Sequence, residues 1–273
     1  MKVKIGLVQM SMTEDNNKNL DKAVQMITQA AEKGAQIVCL PELFTSPYFP
    51  QEEHTEAEAE KIPGPTSEAL ARAAKENKIV LIGGSVYEKA EKLYNTSLVI
   101  DQNGKILGKY RKVHIPHDKS FYEKNYFSAG DDYQVFDTRY GKIGVLICFD
   151  QWYPEAARAV KLMGADMLFY PTAIGNVNGV EQSEGNWQEA WEGVQRGHAI
   201  ANSMVVAAVN RVGVEKDMQF WGGSFVSDQF GKILAHGDEK EDVLIAECDL
   251  ELAREIEEGW GFLRNRRPDT YKN

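Results

Sequence analysis

The chain has 273 residues, 43% of them hydrophobic and 26% charged, enough for a sizeable core. Acids outnumber Lys plus Arg by 41 to 31, a formal charge of −10 that argues against nucleic-acid and anionic-membrane partners. No apolar run approaches the ~20 residues that cross a bilayer, and the amino-terminal apolar run is too short for a signal peptide. Cys39, Cys148 and Cys248 form no C-x-x-C pair, so no metal site or cofactor is expected, and a sparse, odd set of thiols fits a reducing, cytoplasmic setting.

Residues 3–9 alternate as a strand. Asp15-Asn16-Asn17 precedes Leu20, Ala23, Val24, Ile27, Ala30 and Ala31, spaced as the apolar face of a helix that Gly34 ends. Residues 36–40 are a second strand, completing a β-α-β unit. Pro41 stops that strand, Glu42 stands at its exit, and an aromatic loop runs to Pro50. Residues 51–61 are acid-rich and read as a solvated helical face or a lid. A helix follows over about 67–76 behind Gly64-Pro65-Thr66, then a strand over 79–84 that Ser85-Val86-Tyr87 continues.

Residues 94–100 and 105–110 are strands joined by Asp101-Gln102-Asn103-Gly104, a strong hairpin signal. Lys112 leaves the second strand. Residues 118–132, containing Glu123, form a loop long for a compact domain, a length often tied to function. Strands at 135–136 and 142–147 flank Tyr140-Gly141. The apolar run 143–147 delivers Cys148, and Pro154 beside Glu155 opens a helix to about residue 163. Cys148 therefore occupies a strand-to-helix elbow, where a helix N-terminus would favour thiolate.

Residues 167–170 are the next strand and 171–175 leave it as a loop. Residues 176–184 are polar and Gly-containing and read as mobile. Trp187, Ala190, Trp191, Val194, His198 and Ala201 share a helical face. Residues 204–209 are a strand ended by Asn210-Arg211. Gly222-Gly223-Ser224 precedes Phe225-Val226, and strands at 232–234 and 243–247 lead to a helix capped by Asp249. The tail, 260–273, is basic and aromatic. No repeat or linker divides the chain, so one domain over 1–273 is expected, an α/β layered sandwich of mixed sheets covered by helices.

A thiol hydrolase needs a nucleophile, a base and a site for the oxyanion. Cys148 is the best-placed nucleophile. Cys39 lies inside an apolar strand and Cys248 ends one, positions that suit structural thiols. His often serves as base, yet His54, His114, His117, His198 and His236 sit in no compelling local motif, and His198 reads as packed or hydrogen-bonded. Glu42 is the alternative, because an apolar exit from a buried strand desolvates a carboxylate and makes it more basic. Lys112, followed by Val113 and Ile115, can hold a fixed charge beside a developing oxyanion. Each also has an ordinary reading, as core thiol, loop carboxylate or surface lysine.

Taken together, Pro41-Glu42-Leu43-Phe44, Tyr110-Arg111-Lys112-Val113-His114 and Ile147-Cys148-Phe149-Asp150 each end a predicted strand. This set resembles the nitrilase superfamily of carbon–nitrogen hydrolases with its Glu-Lys-Cys triad, and the resemblance runs from Val8-Gln9 to the tail. It implies Cys148 as nucleophile, Glu42 as general base and acid, Lys112 as oxyanion stabiliser and the Phe149 backbone N–H as a second donor. Phe121-Tyr122-Glu123-Lys124 matches the family's second glutamate, which would make Glu123 orient Lys112 and the substrate. The resemblance also implies a four-layer α-β-β-α sandwich. It implies a homodimer or larger homo-oligomer, paired through helices beside the cysteine, with the tail crossing to a partner.

Asp150-Gln151-Trp152-Tyr153-Pro154-Glu155, Tyr170-Pro171-Thr172-Ala173-Ile174-Gly175 and Arg264-Asn265-Arg266-Arg267-Pro268-Asp269 look most like the N-carbamoylputrescine amidase branch. That branch cuts a terminal urea to putrescine, ammonia and carbon dioxide, and Tyr48, Phe149, Trp152, Thr172 and Ala173 would border its pocket here. The branch carries an acid shortly after the Ile-Gly step to grip a distal ammonium, where this chain has Asn176, Val177 and Asn178; Glu181 or Glu184 would have to substitute. N-carbamoyl amino acids and β-ureidopropionate compete as substrates, as do aliphatic amides and nitriles. A carboxylate-bearing substrate wants a basic anchor, and none lies between Gly175 and Gln195. A non-catalytic scaffold would have no need for Glu42, Lys112, Glu123 and Cys148 together.

Overall fold

The structure, a computed structural model, describes residues 1–271; Lys272 and Asn273, the end of the basic tail, lie outside the described residues. The first half runs β1 (Lys2–Gln9), α1 (Asn16–Glu32), β2 (Ile37–Cys39), α2 (Pro65–Asn77), β3 (Val80–Ile82), β4 (Val86–Lys89), β5 (Leu93–Ile100) and β6 (Ile106–Arg111). The second runs β7 (Val135–Thr138), β8 (Gly141–Val145), α3 (Pro154–Leu162), β9 (Met167–Pro171), β10 (Gly175–Val177), α4 (Trp187–Asn202) and β11 (Val205–Val209). β12 (Val212–Glu215), β13 (Met218–Trp221), β14 (Phe225–Ser227), β15 (Ile233–His236), β16 (Asp242–Asp249) and α5 (Leu252–Trp260) complete it.

One sheet has the order β16-β1-β2-β3-β5-β4, with β6 also paired to β5. The other has the order β15-β14-β11-β9-β8-β7, and β10, β13 and β12 form a small third sheet. β1, β2 and β3 are parallel, as are β8, β9 and β11. Strand alternation builds the layers. Val3, Ile5, Leu7, Ile37 and Cys39 point between the two large sheets, against Val145, Phe169 and Ala207. Val8, Val38, Leu40 and Leu81 point the other way, against Ala23 and Ile27 of α1 and Leu70 of α2. Ala156 and Val160 of α3, with Trp191 and Ala199 of α4, cover the outer face of the second sheet. The result is the four-layer α-β-β-α sandwich. A one-residue slip of β1 would turn Ile5 and Leu7 toward α1, so burial fixes the register.

Four expectations need correcting, and one hairpin carries no sequence signal. Residues 51–61 are not helical: after a 3₁₀ turn at Phe49–Gln51 the chain is extended, with Glu56 and Glu58 exposed and Ala57 and Ala59 half-buried. That period of two offers no apolar helical stripe to bury, and Glu60 hydrogen-bonds to the backbone of Tyr87 and Lys89 instead. Residues 85–87 do not continue β3. The chain turns at Gly84 (φ 57°), where a Cβ would meet the Pro41 carbonyl at 2.2 Å, and β4 pairs with β5. Residues 176–184 open within a strand, β10 (Gly175–Val177), where Gly175 lets the chain approach Gln219 of β13. The β12–β13 hairpin went unread because its turn, Lys216-Asp217, carries no Gly or Asn although Lys216 is left-handed (φ 52°). Asp249 accepts the Glu251 amide at 3.0 Å, yet α5 begins only at Leu252.

Candidate active site

Four chain segments converge where β2, β6 and β8 end. Glu42 leaves β2 in a turn whose next residue, Leu43, is left-handed (φ 48°), a conformation that costs a non-glycine residue about 1–2 kcal/mol. The turn is pinned by Leu43 N–H donating to Ser85 Oγ at 3.0 Å and Glu42 N–H to Thr172 O at 3.3 Å. Lys112 follows β6, its N–H donating to Asn95 O at 2.9 Å and its carbonyl accepting from Gly130 at 2.8 Å. Glu123 opens a 3₁₀ turn within the long loop.

Lys112, Glu42 and Glu123 are fully buried. Lys112 Nζ donates to Glu42 Oε1 at 2.9 Å and to both Glu123 oxygens at 2.8 Å. Asn95 Nδ2 donates to the same Glu42 oxygen at 2.8 Å, and Tyr48 OH to Glu123 Oε1 at 2.7 Å. Glu42 Oε2 has no partner. Burial alone would lower the Lys112 pKa, but Glu123 and then Glu42 outweigh it, so the ammonium is held above its ordinary range. Burial pushes the Glu123 carboxyl up to about 7, with Lys112 opposing and the Glu42 charge adding to the rise.

Cys148 is 6% exposed and left-handed (φ 43°), at the head of a 3₁₀ turn, Cys148–Trp152. The expected thiolate at a helix N-terminus does not occur. α3 starts only at Pro154, and burial, reinforced by Glu42 and opposed by Lys112, raises the Cys148 pKa. Burial thus disfavours the thiolate, and a base beside the thiol would be needed to generate it. Buried Asp150 fixes the turn, accepting from Ile147 N at 2.9 Å, Tyr110 OH at 2.7 Å and His114 N at 2.9 Å. The His114 ring, 2.7 Å from Asp150 Oδ1, stacks on Tyr153.

A cavity of about 620 Å³ opens above these groups, with Cys148 and Glu123 in its wall. Phe149 and Trp152 line it. Tyr48, Thr172 and Ala173 do not. Tyr48 lies buried behind Glu123, the Thr172 hydroxyl donates to Tyr170 O at 3.0 Å, and the Ala173 carbonyl faces Cys148 Sγ at 3.9 Å. They back the floor because they leave strands or turns beneath it. Of the two acids weighed for the rim, Glu184 lines the cavity and Glu181 does not. The Glu184 carboxylate accepts from Trp187 Nε1 and, at 3.3 Å, from Ser183 Oγ.

Sequence reasoning missed Asn95, Asp150 and Lys119. Asn95 sits in a strand with no local signal, and Asp150 was read only as part of a motif. Lys119 supplies a basic lining group from residues 118–132, outside the Gly175–Gln195 stretch. His198 is the packed histidine expected, 2.8 Å from Gln151 O and kept neutral by burial. Among the described residues no cluster of His, Cys, Asp and Glu has the makings of a metal site, and no helix is long and apolar enough to cross a membrane.

The family model "Carbon-nitrogen hydrolase" matches residues 4–258. An N-carbamoylputrescine amidase from Solanum lycopersicum is 41% identical, covering 99% of this chain and 94% of its own length. A citrullinase from Francisella tularensis is 36% identical over 98% and 96%. The crystal structure of a carbon-nitrogen hydrolase from Helicobacter pylori G27 superposes with a TM-score of 0.93 at 38% identity, covering 99% of this chain and 97% of that one.

Proposed function

This chain belongs to the carbon–nitrogen hydrolase family, and on that footing we propose that it hydrolyses the terminal carbamoyl group of a carbamoyl amine, with N-carbamoylputrescine the best-fitting substrate. The observation that carries the reading is the buried contact of Lys112 Nζ with both Glu42 and Glu123 beside Cys148 at the cavity floor.

Cys148 Sγ attacks the urea carbon while Glu42 takes the thiol proton, its unpartnered Oε2 being free to do so. The oxyanion meets the Lys112 ammonium and the Phe149 N–H. That amide precedes the first bond of its turn, Asp150 N–H to Ile147 O at 3.1 Å, so it has no acceptor within the turn. Collapse breaks one C–N bond, and Glu42 returns the proton to the departing nitrogen. A thiocarbamate remains on Cys148. Water, deprotonated by Glu42, attacks it and expels the thiol, and the resulting carbamate loses carbon dioxide. One water is consumed for one ammonia, one amine and one carbon dioxide. Glu123 and Tyr48 hold Lys112 in place throughout.

The apolar wall (Phe149, Trp152, Ile174, Val177) suits a methylene chain, and Glu184 suits a distal ammonium. Lys119 favours a second reading, a ureido amino acid whose carboxylate it would bind, in line with the citrullinase relative. Exposed Leu162 and Ile200 on α3 and α4, with Met163 just past the end of α3, support pairing as a homodimer or larger assembly, and three free thiols suit the cytoplasm.

Ammonia release from N-carbamoylputrescine, N-butylurea, citrulline, β-ureidopropionate, an aliphatic amide and a nitrile tests this. N-carbamoylputrescine should lead N-butylurea in kcat/KM by at least tenfold, and equality would remove the distal ammonium from the argument. Cys148→Ala should lower turnover by ~10⁴-fold or more with the fold intact; near-normal turnover by that variant would sink the mechanism.

A further inference from the structure

We infer that Arg211, paired with Glu215, is a positioning residue that sets the general base and the support of Lys112 at once. The inference rests on the reading of Glu42 as base. Arg211 follows β11, is fully buried, and reaches across to the turn that leaves β2. Its Nη2 donates to the carbonyls of Glu42 at 2.7 Å and Leu43 at 3.0 Å. Its Nη1 donates to Ser46 O at 3.3 Å and to Glu215 at 2.8 and 3.1 Å. Glu215 Oε2 in turn accepts the Tyr48 N–H at 2.6 Å.

One ion pair thus takes three carbonyls and one amide of residues 42–48. That segment begins with the base, passes through left-handed Leu43, and ends with Tyr48, whose hydroxyl donates to Glu123. Two of the groups on or behind Lys112 hang on this backbone. Left alone, a turn of this kind has no reason to prefer the Leu43 conformation, and the planar guanidinium fork is what fits several carbonyls together. Lys at 211 would keep the charge but serve fewer of them. Arg211 does not itself line the cavity, and its guanidinium acts on the chemistry through the backbone that carries Glu42 and, by way of Glu215, Tyr48.

The test measures kcat, KM, melting temperature and the rate at which iodoacetamide alkylates Cys148, in Arg211→Lys and Glu215→Gln, beside Glu42→Gln. Displacing a reacting group by about 1 Å costs on the order of 100-fold. Arg211→Lys should lower kcat by about that factor with KM changed less than about threefold. Alkylation should slow in parallel, since both need Glu42 beside the thiol. Glu215→Gln, which keeps the guanidinium, should show the same split at about tenfold, and it decides the matter where Arg211→Lys does not accumulate. Normal kcat and alkylation per folded molecule, with only a lower melting temperature, would make the pair structural and overturn the inference. If Glu42→Gln itself turns over normally, the fault lies in the reading of the base. If Glu42→Gln is dead and both variants are normal, the fault lies in the inference alone.

Discussion

At the cavity floor, Lys112, Glu42 and Glu123 have no solvent exposure and are tied to one another, to Asn95 and to Tyr48 by hydrogen bonds of 2.7–2.9 Å. At the rim, Asp118, Lys119 and Glu184 are exposed, and the Glu184 carboxylate is met only by Trp187 and Ser183. The floor is over-determined, since every charge there is bonded by a group that is itself held. The rim is under-determined, so a residue there can change at little cost to the fold. A scaffold divided in this way keeps its reaction while its substrate drifts, which fits relatives named for different carbamoyl substrates.

The strongest way to break the contrast is Lys112→Met. It removes the one cation between two buried carboxylates, and deleting one partner of a buried pair costs about 3–5 kcal/mol. Urea unfolding should show a loss of that size and ammonia release should vanish. The rim counterpart, Lys119→Met, should stay within about 0.5 kcal/mol of wild type. Similar losses in both would abolish the distinction.

The floor should also make stability depend on pH. Burial raises the Glu123 carboxyl from 4.5 to about 7. The folded state then holds a proton that the unfolded chain releases between those values, so the contribution is present below about 4.5 and is lost as pH rises through about 7. Its size is on the order of 3 kcal/mol. Urea midpoints of wild type should fall across this window relative to Glu123→Gln, in which the titrating group is gone. Parallel midpoints for the two proteins would show that Glu123 does not titrate in this window.

The same division governs what the amino-acid order discloses. Glu42 and Cys148 were legible because each follows an apolar strand of a parallel set, whose ends gather at one edge, and Lys112 because it leaves the second strand of a hairpin with a strong turn signal. The layers were legible for the same reason. Asn95 and Arg211 were not, because their work is done across the chain, on backbone atoms contributed by the β2 exit or on the Glu42 carboxylate. The elevated Cys148 thiol was misjudged because the 3₁₀ turn, inserted between strand and α3, carries the helix start away from the sulfur. The rim was read from one loop, and Lys119 entered from another.

The smallest effect expected is also the one that sharpens the rim most. Glu184 is exposed, and its carboxyl is held below its ordinary value by backbone and Trp187 hydrogen bonds, so it is an anion at any pH where the enzyme would meet a diamine. Trp187 aims it along the cavity wall, and a distal ammonium there gains one screened ion pair. Glu184→Gln keeps the shape and removes the charge. KM for N-carbamoylputrescine should rise about tenfold at low salt and less at high salt, with kcat unchanged, because the contact is equally present in ground and transition states. N-butylurea, which has no distal charge, should be indifferent. If citrulline improves in the same variant, Lys119 is the dominant anchor and the enzyme's natural substrate carries a carboxylate. The chemistry at the floor would stand in either case, since nothing at Glu184 touches Lys112, Glu42 or Cys148.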